Sequence, residues 1–170
     1  MNFISFNNDY IAFLPEIFFL IAINLIIVYS VIYTTSPFFD YPLLVNNVSW
    51  LGIQTLFILL YLIYNNFLNN TVIFNNLLIV DYFGSFIKCC LVVGTISVLF
   101  MCLRYNKFEF VNGFEFIVLI LLTILGTLML VSSYDLISMY LAIELQSFCS
   151  YIHASYKRNN EFSAERGLKY

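Results

Sequence analysis

The chain has 170 residues, 62% hydrophobic and only 10% charged, with a mean hydropathy of +0.90. Soluble domains carry about 25% charged residues, so this is no ordinary water-soluble domain. Seven Lys and Arg against ten Asp and Glu leave a net charge of -3 and no basic stripe, which excludes the electrostatic footprint of a nucleic-acid binder. The cysteines Cys89, Cys90, Cys102 and Cys149 lie in apolar stretches. They lack the paired C-x-x-C spacing of a zinc site or a disulfide framework and read as small lipid-compatible side chains.

Crossing a hydrocarbon core of about 30 Å takes roughly 20 helical residues, and five apolar runs reach that length. The first, residues 10–33, carries only Glu16 near its start, and the second, 43–64, carries no charge. The third, 83–101, includes Lys88 in its first turns; the fourth, 114–133, opens on Glu115; the fifth, 136–156, holds Glu144 in its middle. A sixth helix is expected to begin near Glu161. The segment 65–81 interrupts the pattern with Asn65-Asn66, Asn69-Asn70 and Asn75-Asn76, and reads as an interfacial loop on the outer surface. The first nine residues lack Lys and Arg, and the first apolar run is too long for a cleavable signal, so the first helix is expected to be retained. The expected fold is an all-α integral membrane protein of five transmembrane helices plus the start of a sixth.

Basic residues follow the odd-numbered spans: Arg104 and Lys107, Lys157 and Arg158, then Arg166 and Lys169. The positive-inside rule therefore places these connections inside and Met1 outside. Lys88 dissents, and can snorkel outward from a helix end. Asn47 and Asn69 match the glycosylation pattern, which has meaning only in a secretory compartment. No repeat, heptad, Gly-rich phosphate loop or P-loop pattern is visible, and nothing in sequence surrounds His153 with a nucleophile and a carboxylate.

Glu144 is the most informative residue. It lies about 12 Å along the fifth span by helix rise, where an ionisable group normally faces protein or water and has a partner. Such a group can exchange its proton as its partner moves, as a proton relay requires. Tyr140, Ser147 and Tyr151 share its face, while His153 points to the opposite side. The plainer alternative is an assembly residue paired with a cation on a neighbouring helix. Within the chain the candidate partner is Lys169, at a separation suited to a water bridge rather than a direct ion pair. Glu16, after Pro15, reads as a first-turn carboxylate facing the helix dipole. Asp135 reads as a cap for the fifth helix, and Lys88 as an interfacial anchor.

Residues 115–122 (EFIVLILL), 134–147 (YDLISMYLAIELQS) and 161–170 (EFSAERGLKY) closely resemble subunit 2 of the NADH dehydrogenases of mitochondrial respiratory complex I. Residues 35–53 (TSPFFDYPLLVNNVSWLGI) and the start at Pro15-Glu16-Ile17 are similar to the long form of that family, which has three helices before an antiporter-like core. The resemblance divides the chain into residues 1–113, three amino-terminal helices with the outer loop, and 114–170, the start of the proton-translocation core. It implies a membrane-arm subunit coupling quinone reduction to proton translocation in NADH:ubiquinone oxidoreductase. Such a chain binds no cofactor itself, while its complex uses NADH, FMN, iron-sulfur clusters and ubiquinone.

The family's fifth-helix glutamate falls on Glu144 and its sixth-helix lysine on Lys169, making these two the expected proton-translocating residues. The family's seventh- and eighth-helix lysines have no counterpart here, which leaves two alternatives: a second chain carrying the rest of the subunit, the preferred expectation, or a longer chain of which these residues are a part. The other implied partners are further membrane-arm subunits and membrane lipids, cardiolipin among them. The implied location is the mitochondrial inner membrane, with the amino terminus on the intermembrane-space side. The alternatives are a scaffold chain without proton chemistry, a component of a multisubunit cation/proton antiporter, and a glycosylated secretory-pathway membrane protein.

Overall fold

The computed structural model describes residues 9–34, 41–66, 71–108, 113–156, 165 and 169. Five helices follow one another: α1 (Leu14–Thr34), α2 (Tyr41–Tyr64), α3 (Tyr82–Phe108), α4 (Glu115–Ser132) and α5 (Leu136–Ala154). Four contain stretches long and apolar enough to cross a membrane: Leu14–Thr34, Leu44–Tyr64, Tyr82–Leu103 and Glu115–Ser132. The fifth is helical over 19 residues but is not among them, because Glu144, Gln146, His153 and its hydroxyl side chains dilute its apolar character. The expected start of a sixth helix lies outside the described residues except for Glu165 and Lys169, both helical. Lys157, Arg158, Arg166 and the Asn69 acceptor also lie outside them.

The bundle is organised around α4, which packs on α1, α2, α3 and α5. Its sequence supplies apolar side chains all round, as a helix enclosed by others requires. Ile117, Leu121 and Leu128 are fully buried there, against Phe19 of α1, Val48 and Leu56 of α2 and Val92 and Leu99 of α3. On α1, Phe19, Ile23, Ile26 and Ser30 recur at helical spacing and form its buried stripe. Hydroxyls within the apolar helices bond back to their own backbone. Ser30 donates to the Ile27 carbonyl, Ser49 to Asn46, Thr123 to Ile120 and Ser132 to Leu128. Backbone carbonyls thus satisfy groups that hydrocarbon could not.

The segment expected as an interfacial loop contains a β-hairpin. Strand β1 (Thr71–Ile73) pairs antiparallel with β2 (Leu78–Val80), Thr71 opposite Val80 and Ile73 opposite Leu78. The turn holds Phe74, Asn75 and Asn76 in left-handed conformation, with φ of 53°, 53° and 68°. Asn tolerates that region; Phe does so rarely. Phe74 is gripped by edge-on contacts with Phe13 and Tyr10, centroids 5.5 and 6.1 Å away. Ile73, Leu78 and Val80 bury against Ala12, and the Leu77 carbonyl accepts from Tyr134 N and Ser138 Oγ. The hairpin therefore caps the end of the bundle where α1, α3 and α5 begin and α2 and α4 finish.

Candidate functional site

Asp135 is extended and its carboxylate accepts from Leu136 N at 2.7 Å, the capping role expected for it. From there α5 lies along α4. A Cβ on Gly126 would sit 3.1 Å from Gln146 N and 3.2 Å from Gln146 Cβ, so the two helices meet at a glycine. Ala142 and Cys149 are buried on that face. His153 is half-buried and tilts over Phe116 at 4.2 Å between ring centroids, on the side away from Glu144, as the helical spacing predicts.

Because α5 is seated by its small-residue face, Glu144 is exposed on the other. Tyr140, one turn before it and 61% exposed, brings its hydroxyl to the Glu144 carboxylate. Tyr151 continues the polar stripe, but Ser147 turns its hydroxyl to the Glu144 backbone carbonyl, 3.0 Å away. Leu141 and Phe148 flank the carboxylate and are equally exposed. The face thus combines an ionisable group, two phenols and large apolar side chains, an arrangement that further helices could cover.

The second predicted site residue stands elsewhere in the network of charges. Lys169 Nζ lies 2.6 Å from Glu165 Oε1, an i, i+4 pair whose side chains are 73% and 56% exposed. Among the described residues the ion pairs are this one and Lys88 with Glu16, so Glu144 and Lys169 share none.

Lys88 and Glu16 form the buried polar centre that sequence reasoning missed. Their side chains approach to 2.5 Å at 5% and 6% exposure; Glu16 keeps the first-turn position expected of it, while Lys88 is buried rather than the interfacial anchor it suggests alone. The signal was available: both charges lie in the opening turns of helices that begin at the same end. Among the described residues no group of three or more His, Cys, Asp or Glu side chains could hold a metal ion.

No protein-family model matches the chain. It is 47% identical over 167 residues to NADH-ubiquinone oxidoreductase chain 2 of Marchantia polymorpha, a match covering 97% of this chain and 34% of the relative. The chain is a homologue of the amino-terminal part of chain 2. Chain 2 of Arabidopsis thaliana is 43% identical over 96% of this chain and 33% of its own length. A bacterial NADH-quinone oxidoreductase subunit N, from Pelagibacter ubique, is 37% identical over 92% of this chain and 32% of its own. The chain thus spans about a third of the length of these relatives.

Proposed function

We propose that the chain works in the membrane arm of a proton-pumping NADH:quinone oxidoreductase, with Glu144 changing protonation or partner as charge moves along the arm. One observation carries this reading. Glu144 sits mid-way along a helix whose opposite face is locked onto α4 at Gly126, so its carboxylate is fixed outward, toward whatever covers α5. A carboxylate held there in hydrocarbon needs a cation or water opposite it. Helices from outside these 170 residues supply that cation. Lys169, released from Glu165, joins the same path. The electron carriers (NADH, FMN, iron-sulfur clusters and ubiquinone) belong to other subunits, and this chain holds none of them.

The membrane is the mitochondrial inner membrane, with α5 as its fifth span and the hairpin end on the intermembrane-space side. Neighbouring membrane-arm subunits and cardiolipin surround it. Pairing of Lys88 with Glu16 supports this orientation, since a neutralised lysine no longer argues against the positive-inside assignment. The buried pair also favours a second reading, a scaffold chain without proton chemistry, because the buried ion pair among the described residues is wholly internal. Membership is tested by purification through a tag on this chain. Recovery of flavin, iron-sulfur proteins and quinone-reductase activity is expected, and a particle without them, such as a cation/proton antiporter, would refute it.

A further inference from the structure

Two side-chain amides stand at the middle of neighbouring spans and face outward. Asn24 is the eleventh residue of the 21-residue α1 span and Gln54 the eleventh of the 21-residue Leu44–Tyr64 span; both are exposed. Between α1 and α2 runs an outward-facing groove of about 660 Å3, walled by Phe18, Leu25 and Trp50, with Gln54 in its lining. Asn47, two turns from Gln54, lines the same groove nearer one end of α2.

Hydroxyls on the spanning helices, in the groove and outside it, are satisfied by their own backbone. Thr55 in the groove lining donates to the Gly52 carbonyl, and Thr95, Ser97 and Thr127 bond to their own helices in the same way. A carboxamide cannot be fully satisfied so. Asn24 Nδ2 donates to the Leu20 carbonyl at 3.0 Å, leaving its oxygen and second N–H. Gln54 makes no side-chain hydrogen bond among the described residues. Acyl chains offer neither donor nor acceptor, so lipid filling this groove would strand Gln54 at the depth where water is scarcest, while Asn24 stands on α1 outside the groove lining.

We infer that the α1–α2 groove seats a membrane-spanning helix from outside these 170 residues, one that carries a hydrogen-bonding side chain (Ser, Thr, Asn or Gln) level with Gln54. Large side chains of that helix fill the space between Leu25 and Trp50, and its polar residue completes the Gln54 amide, the way polar side chains join helices in bilayers. The inference rests on the chain spanning a membrane and is independent of any proton transfer at Glu144.

The test uses the assembled complex in its native membrane, with p-benzoylphenylalanine replacing Leu25 and, separately, Ile21 at the groove mouth. Both positions are expected to give an adduct that maps to the same apolar segment of roughly 20 residues containing a central polar side chain. Gln54→Leu, which keeps the bulk and removes the amide, is expected to lower adduct yield by roughly three- to tenfold, and Gln54→Asn to restore part of it. Glu144→Gln is expected to leave the adduct unchanged, so loss of pumping and loss of docking are read apart. Adducts with phospholipid alone, a partner segment without polar side chains, or an unaltered yield in Gln54→Leu would overturn the inference.

Discussion

Lys88 and Glu16, 72 positions apart in sequence, meet at 2.5 Å and join α3 to α1. Both helices run the same way, so charges in their opening turns stand near one level. The pair neutralises two groups that would each be costly in an apolar bundle, and both side chains are buried.

Removing one partner should therefore do more harm than removing both. Lys88→Met leaves Glu16 buried and uncompensated, at a cost of about 3–5 kcal/mol. The double variant Lys88→Met with Glu16→Met should recover most of this, since a buried pair contributes little beyond a well-packed apolar replacement. Thermal unfolding of the detergent-solubilised protein, run as a double-mutant cycle, gives the coupling. Additive single effects would show that the two side chains do not act together.

Gly126 should tolerate no bulk. Gly126→Val pushes against the Gln146 backbone from 3.1 to 3.3 Å, and overpacking of this kind costs about 1–3 kcal/mol. Faster hydrogen exchange in α5 than in α1 and α2 is the expected readout. An unchanged α5 would mean that the α4–α5 seat is softer than its glycine contact implies.

The hairpin should depend on its buried side chains rather than on its short ladder. Ile73→Ala removes a fully buried side chain from the cluster with Ala12, Leu78 and Val80, a change worth about 2–5 kcal/mol. Limited proteolysis is expected to cut between Asn66 and Asp81 in the variant and not in the parent. Equal resistance would place the stability of this end in the ladder instead.

Sequence showed the helices well because their signal is local: apolar runs of spanning length start and stop within a few residues of α1, α2 and α4, the third run starts with α3 but stops short of its end at Phe108, and Asp135 marks the start of α5 through its own backbone bond. It also placed Glu144 and His153 on opposite faces, a direct consequence of helical spacing. The hairpin was hidden because its strands are three residues each and are held by Ala12, Ser133 and Ser138 from distant parts of the chain. The Lys88–Glu16 pair was hidden for a related reason: each residue has a satisfactory solitary explanation at a helix start, and only the packing of α1 beside α3 supplies the other. The outward direction of Glu144 was likewise settled by Gly126, a residue of another helix.

The central claim is that Glu144 handles protons, and it is tested most directly by the number of protons pumped per NADH oxidised in fully assembled Glu144→Gln complex reconstituted into liposomes. The substitution keeps size and polarity while removing ionisation. A lower ratio at normal assembly and intact electron transfer is the predicted result. An unaltered ratio in a complex of normal abundance would contradict it and leave α5 as scaffold.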